Sequence, residues 1–194
     1  MSETSLQNGI SVAVSRRPMH TREVNYRSFL RDDGLWDIEG HLTDIKPFDF
    51  SNESGVSRAA GEPIHHMVVR ACIDSEYIVR SIEAGMLATP YPECPDALQF
   101  LDRVVGLKMS AGWRRGVSAA IGGICGCSHI RELLFNMATA AYQTIPAYLE
   151  QQRRQSGQPL KQDDPMPPHY GACFALALDG PVIKRSAERF YTGE

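Results

Sequence analysis

The chain has 194 residues, 43% of them hydrophobic and 22% charged, with a formal net charge of -3. That is enough chain for one domain with a real core, and its charge balance argues against a nucleic-acid partner. No run approaches the roughly 18 apolar residues of a membrane span, so neither a membrane nor a secretory route is expected and the expected location is cytoplasmic.

Residues 1–18 read as a loose N-terminal arm ending at Pro18. In "TREVNYRSFLRDDGLWDIEGHLTDIK", Val24, Tyr26 and Leu30 alternate with polar residues, Asp32-Asp33-Gly34 is a turn signal, and Trp36, Ile38 and Leu42 alternate again. This predicts a β-hairpin with one buried face, with Asp37, Glu39 and Asp44 assigned to its solvent side. The Ser-, Asn- and Gly-rich stretch from Phe50 to Pro63 is a loop, after which "IHHMVVRACID" and "EYIVRSIEAGML" predict a second hairpin.

The period then changes. Leu98, Leu101, Val104 and Val105 make a helical stripe over 95–105, with Pro95 at the first helical position, Cys94 as the cap and Gly106 as the stop. "GWRRGVSAAI" is a short helix. Ile130, Leu133, Leu134, Met137, Ala141 and Ile145 form a longer stripe that Ser128 caps and Pro146 should end or kink. Residues 155–170 are a proline-rich connector, and "ACFALALDGPVIKR" reads as strand, Asp-Gly turn, strand. The expectation is a single α+β domain over 19–194: an antiparallel sheet built from hairpins, two or three helices packed on it, and a late C-terminal hairpin.

The chemistry concentrates in "GGICGCSHIRELL", residues 122–134. A sulfur at a helix start is stabilised as thiolate by free backbone N–H groups. This pattern occurs at Cys127 before Ser128-His129 and at Cys94 before Pro95. With Cys173 they compose a Cys₃His set, Cys94, Cys127, His129 and Cys173, suited to zinc or iron. Buried, inert cysteines are the competing explanation, and Cys72, within a strand, is assigned to the core. Cys125 is either a resolving thiol or a bystander. His65 and His66 point to opposite faces of a strand, so only one of them reaches a given site. His41 and His66 are the candidate acid or base groups. No G-x-S-x-G, P-loop, dinucleotide fingerprint or H-E-x-x-H occurs.

"HTREVNYRSFLRDDGLWDIEGHLTDIK", "GEPIHHMVVRACID", "ATPYPEC", "GWRRGVSAAIGGICGCSHIRELL" and "DGPVIKR" together resemble an uncharacterised bacterial family of unknown function, marked by a Gly-Cys-Thr-His-Leu-type motif. Here that motif is Gly126-Cys127-Ser128-His129-Ile130. The likeness runs from about residue 16 to the end and implies that Cys94, Cys127, His129 and Cys173 are its signature positions. A weaker similarity, carried by "IDSEYIVRSIEAGMLATPYPECPDALQFLDRVVG", is to iron–sulfur scaffold proteins of the NifU type. Three functions follow as expectations: a metal- or thiol-dependent protein acting on a small substrate, an accessory protein carrying iron, zinc or a cluster to a partner enzyme, and a structural domain with core cysteines.

Overall fold

The computed structural model describes residues 6–7, 10–11, 14–157, 165–167 and 169–193. Most of the 1–13 stretch of the expected arm, and of the connector at 158–168, lies outside them. The chain forms two compact units, Met1–Ala141 and Tyr142–Glu194.

The first unit opens with two short paired strands, β1 (Leu6–Gln7) and β2 (Ile10–Ser11). Its body is a four-stranded antiparallel sheet of β3 (Thr21–Leu30), β4 (Trp36–Ile45), β7 (Pro63–Ile73) and β8 (Val79–Ala88), in the order β3-β4-β7-β8. The intervening loop carries a small ladder of β5 (Phe50–Ser51) and β6 (Ser57–Arg58). Both expected hairpins are present, with Gly34 at φ 81° in the first turn, where a side chain would be strained.

β4 decides which sheet face is covered. Its residues alternate strictly between buried and half-exposed, with Trp36, Ile38, Gly40, Leu42 and Asp44 inward. Register places Leu42 opposite Met67 and Gly40 opposite Val69 on β7, all buried. The inward residues of β3 fare differently: Val24 and Leu30 each stay 44% exposed, because β3 is an edge strand. Gly40 marks where a helix comes closest, since a Cβ there would sit 3.3 Å from Leu133 Cδ2 and 3.1 Å from Tyr26 Cε1.

The helical layer follows the sheet. Cys94–Val104 is a 3-10 helix rather than the expected α-helix, capped by Glu93, not Cys94. Its buried residues, Leu101 and Val104, are three apart, while Val105 turns outward. Three residues per turn cannot keep a 98/101/104/105 stripe on one face. Next come α1 (Trp113–Ile121), a 3-10 turn at Gly123–Cys125 and α2 (Ser128–Gln155). Trp113 Nε1 donates to the Leu134 carbonyl at 2.7 Å, joining α1 to α2 through a buried hydrogen bond. Ile130, Leu133, Leu134 and Met137 are fully or almost fully buried, as their spacing predicts, and each such side chain contributes about 2 kcal/mol.

α2 runs on through Pro146 to Gln155 instead of ending there. Proline withdraws one backbone donor but its fixed φ is helical, and Ile145 beside it is fully buried. In the second unit the expected C-terminal hairpin is absent among the described residues. In its place stand a 3-10 turn at Phe174–Leu176, α3 (Pro181–Ser186) and another 3-10 turn at Glu188–Phe190. Asp179-Gly180-Pro181 is a helix start, not a hairpin turn: Gly180 caps α3, and Pro181 has the φ of a first helical residue but no N–H for a strand ladder. Among the described residues, no helix is long and apolar enough to cross a membrane.

Candidate metal centre

Three elements of the first unit meet at one end of the sheet. The inward alternation of β4 reaches Asp44, whose Cα partner on β7 is His65. His129 enters from the first turn of α2. One donor atom from each of Asp44, His65 and His129 lies within 4.8 Å of the other two. His65 Nδ1 is 3.0 Å, and His129 Nε2 is 3.5 Å, from Asp44 Oδ2. The two imidazoles lean on each other, centroids 3.9 Å apart and planes tilted by 34°.

Asp44 is only 3% exposed, so its charge needs partners. Arg22, opposite it on β3, donates from Nε to Oδ1 at 2.8 Å and from Nη2 to Oδ2 at 2.9 Å. The third arm of the same guanidinium, Nη1, donates to Glu132 on α2 at 2.8 Å, tying sheet to helix. His20 Nε2 is 2.8 Å from Oδ1. Burial alone would raise the carboxyl pKa, but the hydrogen bonds of Arg22 and His20 and the charge of Arg22 outweigh it and hold Asp44 at about 2. Asp44 is therefore a carboxylate throughout the physiological range. Burial, together with the nearby His129, pushes the pKa of His65 below the usual imidazole value and keeps it neutral near pH 7.

Cys127 sits immediately before α2 and its carbonyl accepts the Arg131 N–H at 3.0 Å. Its Sγ lies 3.7 Å from His129 Nδ1. Burial pushes this thiol up, yet the contact with His129 and the N–H groups of Ile130 and His129 outweigh it, and its pKa is lowered. His129 is thus held from both sides, Nδ1 by sulfur and Nε2 by carboxylate. The glycines ahead of it make this placement possible by being bare: a Cβ on Gly126 would stand 2.4 Å from the Ile121 carbonyl oxygen, and one on Gly122 2.2 Å from that of Ser118. Gly123, at φ 58°, turns the chain between them.

Of the four ligands expected from sequence, three, Cys94, Cys127 and His129, share one cleft and Cys173 does not. Cys94 and Cys127 line one cleft of about 310 Å³ together with His65, Tyr91 and His129. The thiol of Cys94 is pushed up by burial, with the neighbouring charges of Cys127 and Glu93 adding to it. Cys173 belongs to the second unit, where it caps the Phe174–Leu176 turn and is exposed. Cys125 is half-buried in the glycine turn, and Cys72 is buried, with Arg31 Nη1 donating to its sulfur at 3.5 Å. His41 and His66 face the other side of the sheet, where they line a cleft of about 290 Å³ with Asn25 and Thr43. The member of the histidine pair that meets His129 is His65.

Asp44 itself, expected on the solvent side, is the buried centre of the cluster. The signal for it was present, because 36, 38, 40, 42 and 44 share one strand face and Asp44 is in phase with Trp36 and Leu42.

The model of a family described as a protein of unknown function, DUF2889, matches residues 20–143. The chain belongs to that family. The match contains Asp44, His65, Cys94, Cys127 and His129, and Cys173 falls beyond it. No curated protein matches the chain, and no solved structure does.

Proposed function

We propose that the protein is metal-dependent and holds one zinc or iron ion on Asp44, His65 and His129, where it acts on a small substrate. The observation that carries this reading is the state of His65 Nδ1. This atom is buried and has no hydrogen-bond partner, although a carboxylate oxygen lies only 3.0 Å away. With His129 Nε2 3.5 Å from the same oxygen, three potential ligand atoms converge at the separation that one ion would span. Bonds of about 2.0–2.2 Å in a tetrahedral shell set neighbouring ligand atoms about 3.4 Å apart. Two imidazoles and a carboxylate form a donor set used by zinc and by non-haem iron.

When bound, such an ion polarises a carbonyl or lowers the pKa of water. The chain's own groups do the rest. Arg22 and His20 keep Asp44 ionised and fix its oxygens. Cys127 takes the outer ring nitrogen of His129, the role that an orienting partner plays for a ligand histidine. Cys94, Cys127 and Cys173 are not among the three donors. All five cysteines are free, which fits a reducing, cytoplasmic setting.

The test is elemental analysis of untagged protein purified without oxygen, followed by turnover screening. One ion per chain in wild type, lost in both His65→Ala and His129→Gln and kept in Cys173→Ser, supports the assignment. Wild-type protein that neither retains nor takes up zinc or iron refutes it. A loaded protein that turns over no substrate favours the carrier function over the catalytic one.

A further inference from the structure

His65, Pro90 and Tyr91 separate two clefts of different chemistry. The thiol-lined one has been described. The other, of about 510 Å³, is lined by Asp44, which the thiol-lined cleft is not. Its charged lining groups are Arg22, Lys46 and Asp44. Two fixed cations thus face one carboxylate, and that carboxylate is already engaged by both arms of Arg22. The positive surplus is carried by Lys46, whose Nζ stands 5.3 Å from the ring centroids of both Phe48 and Phe50. The remaining wall is two imidazoles, His20, which is engaged with Asp44, and His65, and an apolar and aromatic surface of Phe50, Ile64, Pro90 and Tyr91. It is also braced, since Asn52 donates from Nδ2 to the Pro90 carbonyl while its Oδ1 accepts the Ser54 and Val56 N–H groups at 3.0 and 3.1 Å.

We propose that this cleft binds a small organic carboxylate with a flat apolar body. The anionic end pairs with Lys46 and the body lies against Phe50, Ile64, Pro90 and Tyr91, with its far end toward His65. The volume is in the range of small-molecule sites, and an apolar wall beside a cation outside the Arg22–Asp44 pair gives both affinity and orientation. This deepens the metal-site reading and rests on it only for what happens to the far end. The Lys46 contact stands without the ion.

The experiment is calorimetric or NMR titration of full-length protein with benzoate and with benzyl alcohol, its uncharged counterpart in shape. Wild type and Lys46→Gln are each measured zinc-loaded and metal-free. The substitution leaves the backbone tether intact, because the Lys46 carbonyl still accepts the Gly61 N–H. Benzoate should bind wild type, bind Lys46→Gln about tenfold more weakly in both metal states, and outcompete benzyl alcohol. Equal benzoate affinity in wild type and Lys46→Gln, no benzoate binding, or equal binding of benzyl alcohol overturns the proposal. A Lys46-dependent difference in protein that takes up no zinc keeps the carboxylate site and rejects the metal reading. Normal zinc uptake without that difference does the reverse.

Discussion

Replacing Asp44 by asparagine tests the site's electrostatics without changing its shape. The wild-type carboxyl is held at about 2 against an ordinary 3.8. At about 1.4 kcal/mol per pH unit, that gap corresponds to about 2 kcal/mol of folded-state stabilisation of the carboxylate. The folded pKa is the lower one, so this contribution is present above pH 3.8 and is lost as pH falls toward 2. Asparagine keeps one acceptor but turns an amide N–H₂ toward Arg22, His20 or the two inner imidazoles. Urea unfolding in chelator, from pH 7 to 2.5, should show Asp44→Asn weaker by about 2 kcal/mol near pH 5–7. The difference should shrink to under half by about pH 2.5, where the wild-type carboxyl is itself approaching protonation. Arg22 is shared with Glu132 and partly exposed, which keeps the loss below the 3–5 kcal/mol typical of a fully buried broken pair. A stability difference under about 0.5 kcal/mol at pH 6, or one that stays constant down to pH 2.5, would refute the reasoning.

Gly126→Ala forces a Cβ onto the Ile121 carbonyl, so it should destabilise by about 1–3 kcal/mol in thermal or urea unfolding and should weaken zinc uptake by displacing His129. Gly40→Ala, wedged between Tyr26 and Leu133, should lower stability by a similar amount, about 1–2 kcal/mol, without changing metal selectivity. In metal-free protein the alkylation of Cys127 should reach half-maximal rate at lower pH than that of Cys94, read peptide by peptide by mass spectrometry. The reverse order would contradict the opposite shifts of the two thiols. Chelator should lower the wild-type melting temperature and leave that of His129→Gln unchanged, since an ion stabilises only the fold that holds it.

Local periodicity carried much of the fold. Strand alternation in 36–44 and the stripe Ile130, Leu133, Leu134, Met137 are properties of the chain itself, because a strand repeats every two residues and a helix every 3.6. The glycine turn before Cys127 was equally legible, as was the pairing of a thiol with His129 two residues on. Where two local signals compete, sequence is weaker: Asp-Gly suggested a hairpin at 179–180, and Pro181 made it a helix start.

The centre of the site was decided elsewhere. A strand pattern shows that His65 and His66 face opposite ways, but not which face the helices cover. That is set by the β4–β7 register, Asp44 opposite His65, and by the close approach of Leu133 to Gly40. Asp44, His65 and His129 lie far apart along the chain, so only sheet pairing and the docking of α2 bring their donor atoms within 4.8 Å. Arg22 then makes a buried carboxylate tolerable, and its position across the β3–β4 ladder is likewise a fact of tertiary structure.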